Sequence, residues 1–139
     1  MSANVETAYN FAIIRIVPHT WLGTFVNVGV VMHARTAGYL RARVLVDARV
    51  LHTLAPGVDA ELLSRYLDAV RAICDGDPAA GPLALIPTSE RFHWLTSPRS
   101  DVIQSSPVHE GLCGDPEQTL TELFDTFVRL PEPCEAPGG

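Results

Sequence analysis

The chain contains no lysine, and all ten of its cationic side chains are arginine. With its wealth of alanine and proline, this points to the codon usage of a GC-rich genome and not to a chemical role. Cysteine is scarce as well: Cys74, Cys113 and Cys134 stand far apart, with no C-x-x-C pair. Neither a disulfide framework nor a cysteine zinc site is indicated, and free thiols are expected, Cys74 in a helix core. No stretch offers the ~18 uncharged apolar residues of a membrane span, and MSANVETAYN lacks the basic start and apolar run of a secretory signal. The expected location is the cytoplasm, without a membrane partner. Phosphate-binding glycine loops and dinucleotide fingerprints are missing, and His19, His33, His52, His93 and His109 are scattered without an H-E-x-x-H arrangement. No metal and no cofactor is expected. His109 and Cys113 are four apart, with Ser105 and Ser106 nearby, but no G-x-S-x-G elbow accompanies them, so nucleophilic catalysis lacks its signature.

What is present is a chain of 139 residues with 47% hydrophobic content, enough for one domain with a true core. The expectation is a single domain over residues 1–130 and a disordered tail, PEPCEAPGG, over 131–139. The net charge of −6 is unevenly laid out: residues 1–56 carry five arginines against Glu6 and Asp47, while residues 57–139 carry fourteen acids against five arginines. An acidic total argues against gripping a nucleic-acid backbone, which takes many phosphate-neutralising cations. The basic half could still hold one phosphate, another anionic small molecule or an acidic partner.

Taken in order, residues 9–17 (YNFAIIRIV) read as a strand with apolar residues on both alternating sets, hence a central one. Its one charge, Arg15, needs a carboxylate, a carbonyl, a ligand or access to water. After the loop PHTWLGT, where Trp21 and Leu22 either cap the core or meet another protein, residues 25–33 form a second strand. Val26, Val28, Val30 and Met32 are expected on one face and Phe25, Asn27, Gly29, Val31 and His33 on the other. A mid-strand glycine implies close approach at Gly29, by a backbone, by an aromatic or arginine side chain, or by a ligand. Residues 39–46 make a third strand, which sets Arg41 and Arg43 on one face. That face is either an ordinary solvated surface or a cationic one.

Asp47 is placed to cap a short helical turn over 48–54, and Asp59 a firmer helix over 60–75 ended by Gly76. Leu62, Leu63, Tyr66, Leu67, Val70, Ile73 and Cys74 form the apolar stripe of that helix. Residues 77–87 read as a partly mobile connection. The alternation in ERFHWL predicts a fourth strand over 90–95, and residues 101–105 a short fifth. A last helix over 116–130 opens on Asp115-Pro116, with Gln118 near a capping-box position and Leu120, Leu123, Phe124, Phe127 and Val128 as its buried stripe. These elements predict an α+β fold: a mostly antiparallel sheet of about five strands with two main helices packed on it.

Chemistry concentrates in SPRSDVIQSSPVHEGLCGDP, residues 97–116. Arg99 on a proline-stiffened turn, with Ser97, Ser100, Ser105 and Ser106, could hold a carboxylate or phosphate. Alternatively, Arg99 ties the loop to Asp101, Glu110 or helix-end carbonyls. Two functions follow. The first is a protein-binding or regulatory protein, not an enzyme, that works through the Trp21 loop, the Arg41 and Arg43 sheet face and residues 97–111. The other is an enzyme or ligand-binding domain with an anion-recognising pocket around Arg15, Asn27, Arg99, Gln104 and His109.

The pieces YNFAIIRIVP, FVNVGVVM, SPRSDVIQSSPV and GLCGDP, in this order and spacing, resemble the bacterial family called domain of unknown function 3037 (DUF3037). The likeness runs from about Tyr9 to Leu130. It marks Arg15, Phe25, Asn27, Gly29, Pro98, Arg99, Gln104 and Gly111 as positions that match the family pattern, whereas His109 stands where an arginine is expected. The resemblance implies no catalytic residues. It does imply a partner, a HipA-like serine/threonine kinase, since family members are often encoded beside one.

Overall fold

The computed structural model describes residues 6–18, 25–97 and 102–129. It shows an α+β fold with a five-stranded antiparallel sheet and helices against both faces. β1 (Thr7–Ile16), β2 (Val26–Ala34) and β3 (Tyr39–Val44) lie side by side in reverse order, and β4 (Ile103–Ser105) and β5 (His109–Cys113) share the far edge of β1. β1 is therefore the central strand, as its two-sided apolar character predicts. Ile14 and Ile16 point into one layer and Phe11 and Ile13 into the other.

α1 (Ala48–Leu54), α2 (Ala60–Asp75) and α3 (Thr88–Leu95) cover the first face through Leu51, Leu63, Leu67, Val70, Phe92 and Leu95. α4 (Pro116–Phe124), prolonged by a π turn over Asp125–Arg129, covers the second through Leu120, with Leu123 and Val128 beside it. The expected caps form. The carboxylates of Asp47, Asp59 and Asp115 each accept backbone N–H bonds from the first turn of α1, α2 and α4, and Gly76 ends α2 in the left-handed conformation at φ 73°.

Several expectations are corrected. Residues 90–95 are helical within α3, not a strand: Phe92 and Leu95, three apart, face the core, while Trp94 is exposed. In a window of six residues an alternating pattern and a helical one are hard to separate. β5 was not expected and restores the strand count. The link over 77–87 holds two 3₁₀ turns, Pro78–Ala80 and Pro82–Leu85, the first capped by the Asp77 carboxylate. Leu62 is exposed instead of lying in the α2 stripe. Gln118 makes no capping box; its amide donates to Glu122 one turn on. The π turn shifts the phase of α4, so Phe127 is 42% exposed.

Two bulges flank β1 at the same level. On the β2 side Ile14 faces Gly29 and Arg15 faces Asn27, so Val28 is an extra residue. Val28 and Gly29 consequently turn toward the same layer. The face expected from Val26, Val28, Val30 and Met32 is thereby split, with Val26 and Val28 in the α1–α3 layer and Val30 and Met32 in the α4 layer. What closes over Gly29 is the β3 strand itself, through the Arg43 carbonyl and the Val44 side chain, not an aromatic or arginine side chain.

On the other side, Ser105 faces Ile14 and His109 faces Phe11, so residues 106–108 stand against only two residues of β1. Pro107 sits in this bulge, where its missing N–H costs no ladder bond. Buried Ser106 holds the break together: its N–H donates to the Ile13 carbonyl at 2.8 Å, and its Oγ accepts the Ile13 N–H at 2.9 Å. Ser106→Ala leaves that buried N–H without a partner, and the expected loss is about 1–3 kcal/mol by chemical denaturation. Hydrogen exchange at the Ile13 amide should accelerate in the same variant; unchanged protection there would show that the hydroxyl is dispensable.

Candidate functional site

The β2 bulge decides where the polar residues meet. Arg15 has Asn27 as its Cα partner on β2 and Gln104 on β4, which sets three polar side chains in one row across the middle of the sheet. The Arg15 guanidinium lies over the Phe25 ring, with Cζ 4.4 Å from its centroid. Asn27 Nδ2 donates to the Phe127 carbonyl at 2.9 Å and thereby anchors the π turn to β2. The row is left with one donor and one acceptor unused: Arg15 Nε and Asn27 Oδ1 are buried without a hydrogen bond. Such orphans are rare in native proteins, and each calls for a water, an ion or a ligand atom.

The β3 arginines are engaged within the fold. Arg43 Nη1 donates to Thr121 Oγ1 at 3.0 Å, and its Cζ lies 4.9 Å from the Phe124 ring centroid, so it fastens β3 to α4. Arg41 reaches Asp75 at the end of α2 at 3.5 Å, a half-exposed pair of small energetic weight. Tyr39 donates to Glu117 at 2.8 Å; burial, then that carboxylate, pushes its phenol pKa far up. His109, on β5, sits over Phe11 with ring centroids 5.2 Å apart, away from the Arg15 row. Trp21, Arg99 and Ser100 lie outside the described residues. The structure thus brings together Arg15, Asn27 and Gln104, and places Arg41, Arg43 and His109 elsewhere.

A groove beside Asn27 had not been foreseen. It measures about 390 Å³, lies between α1 and the π turn, and is lined by Leu45, Val50, Leu54 and Phe127 among others. Leu54 is 59% exposed. The signal available in the sequence was the i, i+4 pair Val50 and Leu54, lying off the face of α1 that buries Leu51.

Cys74 is buried, and burial raises its thiol pKa to about 12, so it stays protonated and unreactive. His109 and Cys113 share a strand four residues apart, a spacing of about 13 Å, too far for a nucleophile and its base. No group of three or more His, Cys, Asp or Glu side chains is placed to hold a metal among the described residues.

One buried histidine tunes stability. His33 stacks on Phe92 with centroids 5.4 Å apart and has Nε2 3.3 Å from Thr88 Oγ1. Burial, aided by Arg35 and Arg91, lowers its pKa below the ordinary value. The unfolded chain therefore binds a proton more readily, so the neutral ring's contribution is fully present above pH ~6.5 and is lost as pH falls from there. The denaturation midpoint should drop on acidification below pH ~6.5, and His33→Gln should flatten that dependence; an equal slope in the variant would place the effect elsewhere.

The class so defined is a small α+β protein built on a central bulged strand, with a polar row at mid-sheet and an apolar groove next to it. The chain belongs to the DUF3037 family, proteins of unknown function, whose family model matches residues 11–128. No curated protein and no solved structure matches the chain.

Proposed function

We propose that this chain is a cytoplasmic protein-binding or regulatory partner, acting on a HipA-like serine/threonine kinase, and that it docks through the groove between α1 and the π turn. The observation that supports this reading is the division of labour on this side of the sheet. Arg41 and Arg43 are spent on contacts within the fold, while Leu45, Val50, Leu54 and Phe127 are left open around one concavity. Asp47 and Arg129 line the same groove with opposite charge. This fits an apolar segment of the partner bearing polar ends. No helix among the described residues is long and apolar enough to cross a membrane. The test is co-expression with a HipA-like kinase of the same genome, followed by size-exclusion chromatography. A complex should form with the native chain, fall apart with Leu54→Glu, and survive Leu85→Glu, which alters a residue of similar exposure (65%) outside the groove. A complex insensitive to Leu54→Glu, or none at all, would refute the docking.

The orphaned Arg15 Nε and Asn27 Oδ1 favour a second reading, an anion-recognising pocket that could also draw on Arg99 and Gln104. A hydrogen phosphate or a carboxylic acid offers both an acceptor and a donor to such a pair. Under this reading phosphorylated or carboxylated metabolites raise the melting temperature in a saturable way, and Arg15→Gln abolishes the rise.

A further inference from the structure

The sheet face that carries α1–α3 has a second polar row at its other end. The register places His33 of β2, Asn10 of β1 and Glu110 of β5 side by side, and directly opposed residues share a face. Two residues further along, Ala8 and Leu112 oppose each other on that same face. Arg35 and Thr36, from the turn after β2, join these residues around a groove of about 590 Å³, within the ~300–1,000 Å³ of small-molecule sites. His33, only 4% exposed, lies at its inner wall, braced by Thr88 and Phe92. The Arg35 guanidinium, the Asn10 amide and the Glu110 carboxylate make no side-chain hydrogen bond or ion pair among the described residues. Leu112 leaves 64% of its surface to solvent beside them. One groove thus presents an unused cation, an unused anion, an unused amide and an unpartnered apolar side chain.

We infer that this groove binds a short zwitterionic peptide of two or three residues. Its carboxylate meets the Arg35 fork, which suits a planar anion. The terminal ammonium meets Glu110, the Asn10 amide serves the peptide bond between them, and an apolar side chain covers Ala8 and Leu112. The size follows from the strand spacing. Arg35 follows β2 and Glu110 is on β5, with β1 between them, so the two residues stand at least about 10 Å apart at their backbones. The side chains reaching inward from both ends shorten that gap to the length of two or three residues at ~3.3–3.6 Å each, and the Asn10 amide between them answers a peptide bond, which a free α-amino acid lacks. The groove lies on the face opposite the Arg15 row, so the inference stands apart from both readings above.

The experiment is a calorimetric and NMR titration with the dipeptide alanyl-leucine, its N-acetyl form and its C-terminal amide. The expected result is saturable binding of the free dipeptide and at least tenfold weaker binding of each blocked form. Glu110→Gln should erase the penalty of acetylation, and Arg35→Gln that of amidation. Both side chains are exposed, so unchanged unfolding midpoints are expected. The blocked ligands test the idea on the native chain whatever the variants do. Absence of saturable binding, equal binding of free and blocked forms, or a preference that survives both substitutions would overturn the inference.

Discussion

Arg91→Ala is expected to lower the stability by about 3 kcal/mol, with a fall of the melting temperature on the order of 10 °C. Arg91 projects from α3 onto the end of α2, where its Nη1 donates to the Ile73 carbonyl at 2.7 Å and the Cys74 carbonyl at 3.1 Å, while its Nε donates to the Ile86 carbonyl at 2.8 Å. The last carbonyls of a helix have no partner within it and carry the negative end of its dipole, so a partly buried guanidinium there answers both needs. Three elements, α2, the 3₁₀ connection and α3, converge on this one side chain. Removing it leaves the Cys74 and Ile86 carbonyls to find water in a half-closed space, while that of Ile73 keeps the Gly76 N–H. Arg91→Lys should restore only a fraction, because a single ammonium cannot serve three acceptors lying in different directions. Thermal and denaturant unfolding of the two variants tests this; an alanine variant within about 0.5 kcal/mol of the native chain would mean that water replaces the guanidinium without loss.

Gly29→Val is expected to cost more than about 3 kcal/mol, and Gly29→Ala about 2 kcal/mol. A Cβ at this position would stand 3.1 Å from the Arg43 carbonyl and 3.1 Å from Val44 Cγ1, both on the neighbouring strand. Each must give by a few tenths of an ångström; a side chain yields more readily than a carbonyl on a strand paired in the β2–β3 ladder. The two neighbours can be separated experimentally. If the side chain is the obstacle, Val44→Ala should recover part of the loss caused by Gly29→Ala; if the carbonyl is, the effects should add. The position matters beyond stability, because Gly29 belongs to the bulge that turns Asn27 toward Phe127 and into register with Arg15. A variant that straightens the bulge should also disorganise the polar row, visible as a changed NMR environment of the Asn27 side-chain amide.

Gly111 obeys the same logic on a softer neighbour. A Cβ there would stand 2.6 Å from the Tyr9 ring, which lies across the glycine from the paired strand. Here a ring must give way and not a backbone, so substitution is a question of whether Tyr9 can swing clear.

The parts of the molecule legible from the chain are those governed by contacts within one turn or one strand. Asp59 and Gly76 delimit α2, and Asp115-Pro116 opens α4, because capping groups answer backbone donors and acceptors two or three residues away. The apolar residues on both sides of β1 announced a central strand for the same local reason. The row of Arg15, Asn27 and Gln104 was legible only as a set of candidates, since no local rule states which residues of three distant strands share a level. Arg41 and Arg43 illustrate the converse: they read as either an ordinary solvated face or a cationic one, yet Thr121, Phe124 and Asp75, remote in sequence, take up their guanidinium groups.

By itself, then, the sequence determined the α+β class, the central strand, three helix starts and the left-handed stop at Gly76, all of them consequences of short-range hydrogen bonding and hydrophobic period. Tertiary structure alone decided the rest. It made residues 90–95 a helix because Phe92 and Leu95 found a core to enter, and it recruited residues 109–113 as a strand because β1 had an unpaired edge. It also split the valines of β2 between two layers, because one inserted residue exchanges the faces of everything beyond it. Pairing register is a property of two strands at once, so neither strand states it alone.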